Sequence, residues 1–347
     1  MNVRPFGIID GQPVHEVSLR TIAGVEAKII TWGAVVRDLI VPLSSSRQQR
    51  VVLGLNSLED YVAHSPYFGA IAGRYANRIG HGHFAIDGKI WQADLNQNAR
   101  HTLHGGAKGF GKRTWQLAGY DESSVMLTLV SADGEMGFPG TLSVTCIYRL
   151  LPVGALLVEL AATTDAPTIV NLAHHSYFNL DGSVDVLDHE LQINADFITP
   201  VDDDLITTGE IRAVGETAYD FRSRRPIRFT SMDAQLLQYD HNWALNGPRC
   251  SNAETMKHAA TLWSPKNGLA MELHTSEPGL QFYAGGKLNV PVPGLGDAYY
   301  GPNAGLALEP QLFPDSPNKP HFPDPTLQPT QVYRQFTEYR FLPGHNR

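Results

Sequence analysis

The sequence predicts an all-β fold built from short antiparallel strands. Its 347 residues include 32 Gly and 23 Pro spread along the chain, as expected for turns between short strands. Several stretches alternate apolar and polar residues with the period of two that is typical of half-buried strands. Helical periodicity is scarce, and no shift in composition marks a domain boundary. We therefore expect one large antiparallel β domain over residues 1–347.

Individual strands are predicted from local patterns. In "HFAIDGKIWQA", Asp87-Gly88 stands between two β-prone runs and supplies the positive φ that a tight hairpin turn needs. "SVMLTLV", "ALLVELAA" and "GLALE" are also predicted strands. The clearest alternation is in "TLSVTCIYRLL", where one face carries Leu142, Val144, Cys146, Tyr148 and Leu150.

Few helices are expected. "SLEDYVA" near residue 60 and "SMDAQLL" near residue 232 are predicted as short helices, each with a serine that could cap its first turn. The segment 310–329 is rich in proline, and we expect it to run extended over the surface.

Composition and charge restrict the partners. The net charge of -8 and the pI of about 5.9 give no attraction to nucleic acid or to an anionic membrane. No apolar run approaches the length of a membrane span, and the first residues lack the apolar segment of a secretory signal. Two cysteines, Cys146 and Cys250, do not make a disulfide framework. These features predict a soluble, cytoplasmic protein.

The histidines do not predict a metal site. Close pairs among the 14 His occur at His81/His83, His101/His104 and His174/His175. There is no C-x-x-C or H-E-x-x-H motif, and adjacent histidines on a strand point to opposite faces. We expect no protein-bound metal, and we interpret His81, His83 and His101 as surface or strand histidines. The glycines of "HGGAKGFGK" do not fit a phosphate loop, and no G-x-S-x-G nucleophile motif is present.

General acid–base chemistry needs one group that gives a proton and one that takes it. Histidine can do either near neutral pH, and a carboxylate is a ready base. Glu309 is an unusual carboxylate, since it ends an apolar strand directly before Pro310 in "LALEPQLFPDSPN". Asp240 lies between aromatic residues in "YDHNWAL".

Six stretches together resemble the galactose mutarotase (aldose 1-epimerase) family, in the family's order and across nearly the whole chain. They are "GRYANRIGHGHFAIDGK", "HTLHGGAKGFGKRTW", "NLAHHSYFNLDG", "YDHNWAL", "GLQFYAGG" and "LALEPQLFPDSPN". The resemblance implies a large twisted antiparallel β-sandwich with a sugar site on a concave face. It also implies interconversion of the α and β anomers of a free aldohexose, without metal or organic cofactor.

The resemblance also assigns roles to single residues. The family's catalytic acid matches His175 in H-x-Y-F-N-L, and its catalytic base matches Glu309. Tyr177 would share the face of His175. Residues at the family's other site positions are Asn77, Arg78, His104, Asp240 and Gln281.

Two positions depart from the family pattern. His174 stands where Asn is frequent, and we expect it to be structural because it should face away from His175. Pro310 stands where Thr or Ser is common. For Glu309 to act as a carboxylate and His175 as an imidazolium near neutral pH, the histidine pKa would have to be somewhat raised, and we expect the carboxylates Glu309 and Asp240 to raise it.

Two alternatives remain open at this stage. A hexose-6-phosphate epimerase-like relative would need a cationic cluster for the phosphate; the candidate group, interpreted as a solvated hairpin, is Arg222, Arg224, Arg225 and Arg228. A non-catalytic sugar-binding protein would have no need of the Glu309 and His175 pair. The expected partner is a small-molecule aldose, and the sequence is compatible with a monomer or a homodimer.

Overall fold

The computed structural model describes residues 2–231, 235–249 and 252–344, which form mostly short strands. In chain order the strands are β1 Val3–Ile9, β2 Gln12–Arg20, β3 Glu26–Ile30, β4 Val35–Ser44, β5 Arg47–Arg50, β6 Ala70–Ala72, β7 Arg78–Ile79, β8 His83–Ile86, β9 Lys89–Gln92, β10 Thr102–Leu103, β11 Gln116–Tyr120, β12 Ser124–Ser131, β13 Leu142–Leu151, β14 Ala155–Thr164, β15 Thr168–Ile169, β16 Ala173–His175, β17 Tyr177–Phe178, β18 Glu190–Ile193, β19 Phe197–Thr199, β20 Arg212–Ala213, β21 Arg225–Pro226, β22 Asp240–Ala244, β23 Lys257–Trp263, β24 Ala270–Thr275, β25 Gly279–Tyr283, β26 Leu306–Gln311, β27 Thr326–Leu327 and β28 Tyr333–Leu342. The helical elements are α1 Leu58–His64 and the 3₁₀ turns Gly80–Gly82, Phe110–Lys112, Glu135–Gly137, Ala253–Thr255, Leu295–Asp297 and Ser316–Asn318.

Three large antiparallel sheets dominate the fold. Nine strands pair in the order β11-β12-β13-β14-β28-β24-β23-β18-β21, six in the order β17-β26-β25-β22-β19-β20, and five in the order β1-β2-β3-β4-β5. The remaining strands form four two-stranded pairs, which are β10-β7, β15-β27, β16-β6 and β8-β9. The C-terminal β28 lies inside the nine-stranded sheet, between β14 and β24, so residues from both halves of the chain complete it.

The main core lies where the large sheets face one another. One cluster of buried apolar side chains joins all three sheets, with Ile29 from the five-stranded, Cys146 and Tyr339 from the nine-stranded and Trp243 and Phe282 from the six-stranded sheet. Sheets packed through alternating inward side chains make a sandwich, which confirms the predicted all-β fold. The predicted inward face of β13 is confirmed as well, since the five residues assigned to that face all join this cluster. Cys250 lies outside the described residues.

The predicted hairpin and the first predicted helix are confirmed. Asp87 and Gly88 connect β8 to β9 with φ of 49° and 77°. Ser57 caps α1, because its Oγ accepts a hydrogen bond from the Asp60 N–H at 3.1 Å. The second predicted helix is centred on residues 232–234, which lie outside the described residues. No helix in the described part of the chain is long and apolar enough to span a membrane.

The prediction of a surface-exposed tail from residue 310 is wrong at its start. Residues 310 and 311 belong to β26, and residues 312–316 are buried. Asp315 is fixed beside the chain that carries Arg78, since its N–H donates to the Arg78 carbonyl at 2.9 Å and its Oδ1 accepts from the Gly80 N–H at 2.9 Å. The first part of this proline-rich stretch therefore belongs to the interior.

Pro310 does not disturb the strand that carries Glu309. The register across β25 and β26 is regular, with Gln281 opposite Glu309 and Leu280 opposite Pro310. The Pro310 carbonyl accepts a hydrogen bond from Gln335 Nε2 at 2.8 Å, so the backbone at this residue turns toward a side chain of β28. A proline is tolerated in a strand where its missing N–H would have no ladder partner. Glu309 therefore keeps the strand geometry that its sequence pattern predicts.

Candidate active site

A polar cavity lies on the face of the six-stranded sheet that points away from the core. In β25, Leu280 and Phe282 join the core, so Gln281 and Tyr283 project from the opposite face. The same alternation in β26 turns Leu308 to the core and Glu309 away from it. Strand periodicity thus places these polar side chains together.

Strand register aligns the polar residues in rows across the sheet. Asn242 of β22 lies opposite Gln281 of β25, which in turn lies opposite Glu309 of β26. Asp240 lies opposite Tyr283 in the neighbouring row. Directly opposed residues project from the same face, and a hydrogen bond of 2.7 Å from Gln281 Nε2 to Asp240 Oδ1 links the two rows.

Segments outside this sheet complete the cavity. Among them, β16 brings His175, and the loops around residues 66, 77 and 104 form further walls, while β17, the edge strand of the six-stranded sheet itself, brings Tyr177. The cavity measures about 210 Å³, and its lining consists of Pro66, Tyr67, Asn77, Arg78, Leu103, His104, His175, Tyr177, Asp240, Tyr283, Lys287 and Glu309.

The structure brings nearly all of the predicted site residues together. Those that line the cavity are Asn77, Arg78, His104, His175, Tyr177, Asp240 and Glu309. Gln281 is absent from the lining; it is buried and contacts Asp240. Gln281 therefore orients the Asp240 carboxylate without lining the cavity itself.

His175 and Glu309 contact each other inside the cavity. His175 Nε2 lies 3.5 Å from Glu309 Oε1, and the two side chains are only 5% and 3% exposed. His175 Nδ1 and Glu309 Oε2 have no hydrogen-bond partner within the described ranges. Buried polar atoms normally have partners, so these two atoms are positioned to interact with a bound molecule or with water.

Burial sets the protonation of this pair. It lowers the pKa of His175 to about 4, although the charge of Asp240 acts in the opposite direction. Burial and the nearby charge of Asp240 raise the pKa of Glu309 well above its ordinary value. The expectation that His175 has a raised pKa is therefore wrong for the sugar-free site. These opposite shifts in pKa both favour the neutral arrangement, in which Glu309 is protonated and His175 is not.

His104 is neutral and has a defined tautomer. Burial lowers its pKa well below the ordinary value, with smaller contributions from His175, Arg78 and Lys112. Its Nδ1 accepts a hydrogen bond from the Asn77 N–H at 3.2 Å. The ring proton of a neutral histidine with an accepting Nδ1 is on Nε2, so His104 can donate a hydrogen bond through Nε2.

Arg78 and Asp240 form a charged pair at the side of the cavity. Arg78 Nη2 lies 3.4 Å from Asp240 Oδ2, and Arg78 Nε donates to Gln97 Oε1 at 3.0 Å. The contact is long and Asp240 is 21% exposed, so both groups retain capacity for hydrogen bonds to a ligand. Arg78 offers donors and Asp240 offers acceptors, which suits a molecule with several hydroxyl groups.

His174 faces away from the cavity, as predicted. Its ring packs 5.7 Å from the rings of both Tyr148 and Tyr339, which belong to the nine-stranded sheet. Its Nδ1 lies 3.4 Å from the Tyr148 hydroxyl, and burial lowers its pKa to about 3. His174 is a neutral core residue.

Some lining residues were missed from the sequence. Tyr283 could have been found, because it stands two residues after Gln281 on the same strand face. Tyr67 and Lys287 come from irregular segments, where no periodicity indicates the direction of a side chain. Their place in the cavity depends on tertiary structure.

The histidine pairs His81/His83 and His101/His104 do not assemble a metal site. His81 lies in a 3₁₀ turn with a φ of 53°, so it does not share a strand face with His83. His101 is buried and forms an isolated β-bridge with Gln97, and its Nδ1 accepts a hydrogen bond from the His81 N–H at 3.0 Å. Within the described parts of the chain, no three His, Cys, Asp or Glu side chains are grouped closely enough to hold a metal ion.

The four arginines considered for phosphate binding contact other groups of the protein. Arg222 pairs with Asp220, Arg224 with Glu190, and Arg228 with Asp188. The fourth member, Arg225, donates to the Tyr239 hydroxyl and to backbone carbonyls. None of the four lines the cavity, so this group does not form a phosphate site there.

Comparison with known proteins gives a consistent result. The aldose 1-epimerase family model matches residues 15–340. The chain is 38% identical to the aldose 1-epimerase of Escherichia coli K12, with 99% of each chain covered, and 39% identical to the galactose mutarotase of Homo sapiens, with 90% of each covered. Among solved structures, the aldose epimerase homologue from C. elegans superposes with a TM-score of 0.87 at 31% identity, covering 94% of this chain and 98% of that one. The galactose 1-epimerase from Lactobacillus acidophilus gives a TM-score of 0.83 at 28% identity, with 99% of each chain covered. The chain therefore belongs to the aldose 1-epimerase family.

Proposed function

We propose that this protein is an aldose 1-epimerase that interconverts the α and β anomers of free aldohexoses such as galactose and glucose. Family membership supports an isomerase that acts on carbohydrates. The observation that carries the proposal is the contact of 3.5 Å between His175 and Glu309 inside a polar cavity. An acid and a base side by side are what the opening of a hemiacetal ring requires.

The reaction proceeds by two proton transfers. Glu309, as a carboxylate, removes the proton from the anomeric hydroxyl, while His175, as an imidazolium, protonates the ring oxygen and the C1–O5 bond breaks. Rotation about C1–C2 presents the other face of the aldehyde. The ring then closes, as Glu309 returns its proton to the carbonyl oxygen and His175 takes the proton of the attacking hydroxyl.

Ring opening and ring closure start from different protonation states of Glu309 and His175. Ring opening starts from ionised Glu309 and protonated His175, and it ends with neutral Glu309 and neutral His175. The second arrangement is the one that burial favours in the sugar-free cavity. Binding of a cyclic sugar must therefore shift the proton from Glu309 to His175, and hydrogen bonds from sugar hydroxyls to the Glu309 carboxylate would favour that shift.

The remaining predicted residues hold the sugar. Arg78 and His104 donate to hydroxyl oxygens, and Asp240, oriented by Gln281, accepts from hydroxyl groups. Tyr177 presents its ring, which lies nearly parallel to the His175 ring at 5.1 Å. Asn77 positions its neighbours, since its Oδ1 accepts from the Arg78 N–H at 2.9 Å and its own N–H donates to His104.

We also infer that residues 1–347 act as one domain, because the cavity draws its lining from segments between residues 66 and 309.

The cavity carries two cationic lining residues, Arg78 and Lys287, and the first already contacts Asp240. This supports a neutral sugar over a hexose 6-phosphate. A non-catalytic sugar-binding role is not supported, because sugar binding alone does not require a buried acid–base pair such as Glu309 and His175.

Polarimetry tests the proposal directly. Freshly dissolved α-galactose and α-glucose should approach their equilibrium rotations faster with the protein than with the same protein after heat denaturation. Equal initial rates on the two sugars would mean that Asp240 and Gln281 do not discriminate the epimeric hydroxyl. If neither these nor other aldohexoses were accelerated, the proposed function would be wrong.

A further inference from the structure

Tyr67 contacts both histidines of the cavity. Its ring centroid lies 4.6 Å from that of His104 and 6.0 Å from that of His175, and its plane is within 26° of the His175 plane. The two histidine rings are 5.2 Å apart. Tyr177 also lies nearly parallel to the His175 ring, with an interplanar angle of 28°. The imidazole of His175 is therefore held among aromatic rings.

The backbone around Tyr67 is fixed in an uncommon conformation. Its φ is 69°, in the left-handed region that aromatic residues rarely adopt. The turn is closed by hydrogen bonds from the Phe68 N–H to Ser65 Oγ at 3.0 Å and from the Ala70 N–H to the Tyr67 carbonyl at 3.1 Å. Strained residues persist where the surrounding structure over-determines them, and they cluster at functional sites.

The same turn also binds the backbone of His175. The Gly69 N–H donates to the His175 carbonyl at 3.0 Å. A Cβ at Gly69 would lie 2.1 Å from the Val36 carbonyl oxygen, so only glycine fits this close approach. One short segment thus contacts His175 twice, through a backbone hydrogen bond and through the Tyr67 ring.

The ring of Tyr67, and not its hydroxyl, makes these contacts. Among the described residues, the Tyr67 hydroxyl has no hydrogen-bond partner. The Tyr67 ring contacts the His104 and His175 rings, and the Lys112 ammonium lies 5.3 Å from its centroid. Burial raises the Tyr67 pKa to about 12, so the side chain brings no charge at the pH of the reaction.

We propose that Tyr67 is a positioning residue, whose aromatic ring fixes the His175 and His104 imidazoles and keeps water away from them. This inference rests on the proposed function, because it assigns Tyr67 a role in the acid–base chemistry of that site. It predicts that an aromatic ring at this position is sufficient and that an aliphatic side chain is not.

Water access to His175 provides a measurable sign of this role. The titratable groups nearest the His175 ring are Glu309, His104, Tyr67 and Tyr177, and the charge of Asp240 also acts on it. His174, the next residue on the strand, projects to the opposite face, and Arg78 and Lys112 act on the neighbouring His104. A Tyr67 substitution leaves all the charged groups in place. Removing the ring therefore changes mainly the hydration of the imidazole, which should raise the His175 pKa from about 4 toward the ordinary value.

The test compares Tyr67→Phe with Tyr67→Leu. Phe68→Leu is the matched control, since Phe68 is a buried aromatic of the same turn whose ring contacts are Tyr177 and Tyr300. We expect Tyr67→Phe to keep kcat within about threefold, and Tyr67→Leu to lose about tenfold or more in kcat with a smaller change in KM, as expected when a reacting group is misplaced. Phe68→Leu should lower the thermal midpoint at least as much as Tyr67→Leu but retain kcat.

Nuclear magnetic resonance titration of the His175 and His104 ring protons, in sugar-free protein, gives a readout that needs no activity. The His175 pKa should rise in Tyr67→Leu and stay at the wild-type value in Tyr67→Phe. An unchanged His175 pKa in Tyr67→Leu, or equal kcat losses in Tyr67→Leu and Phe68→Leu, would overturn the inference. If the wild-type protein failed to accelerate mutarotation, the proposed function would fall, while the titration would still decide whether Tyr67 positions the histidines.

Discussion

His175 Nε2 lies 3.5 Å from Glu309 Oε1, although the two residues belong to different sheets. The two-stranded β16-β6 pair carries His175, and the six-stranded sheet carries Glu309. Both side chains are almost fully buried, so neither ionises with its ordinary pKa. In the proposed mechanism the pair acts as one unit that holds a single transferable proton.

Glu309→Gln should reduce kcat by at least about 100-fold, because a glutamine cannot accept the proton of the anomeric hydroxyl. Sugar binding, measured by calorimetric titration, and the thermal midpoint should be retained. Glu277→Gln is the matched control, since Glu277 is also fully buried but lies outside the cavity and pairs with Arg249. A Glu309→Gln protein with more than about a tenth of the wild-type rate would exclude Glu309 as the base.

His175→Asn should lower kcat far more than His174→Asn. The two side chains project from opposite faces of β16, one into the cavity and the other against Tyr148 and Tyr339. His174→Asn should lower the thermal midpoint instead, because it leaves space and an unmatched amide in the core. Polarimetry and thermal unfolding on both variants separate the two effects, and similar kcat losses with intact folding would contradict this division of roles.

The pH dependence of kcat/KM should be a bell, because the free enzyme must hold one proton on the His175 and Glu309 pair. Activity should fall on the acidic side near pH 4, where the second proton binds, and on the basic side at a pH set by the raised pKa of Glu309. These limbs belong to the pair and not to single residues. An acidic limb near 6.5, the ordinary histidine value, would show that His175 is not desolvated in the free enzyme.

His174→Phe should make the fold less sensitive to acid. The folded pKa of His174 is about 3, below its unfolded value, so the unfolded chain binds more protons between the two values. The free energy of unfolding therefore falls as pH decreases from about 6.5, by up to about 1.4 kcal/mol per pH unit for this residue. Denaturant unfolding at pH 7 and at pH 5 should show a smaller loss in His174→Phe than in the wild type, and an equal loss would mean that His174 is protonated in the folded core.

Sequence patterns predict the faces of strands well but not the approach of separate strands. Alternation places Gln281 and Glu309 opposite the core, and adjacency places His174 and His175 on different faces. Alternation cannot reveal that β16 crosses near β26. The missed residue Tyr67 depends on a left-handed turn held by Gly69 and Val36, which is a tertiary constraint.

Protonation is the part of the site that sequence reasoning predicts least well. The charges around His175 suggest a raised pKa, but the pKa is lowered because loss of hydration outweighs the charge of Asp240. Burial follows from packing over the whole chain. The proline-rich start of the tail shows the same limit, since residues 312–316 are buried although proline favours extended surface segments.

The pairing of β14 with the C-terminal β28 has a consequence for how activity is acquired. Arg78 and Asp240 are 162 residues apart in the chain yet contact each other at the side of the cavity, and β28 lies between β14 and β24 in the nine-stranded sheet. Contacts between distant residues form only after the entropy of closing long loops has been lost, so such folds assemble slowly. The cavity should therefore be among the last parts of the molecule to form, and a nascent chain should gain its sugar chemistry only once β28 has been synthesised and inserted.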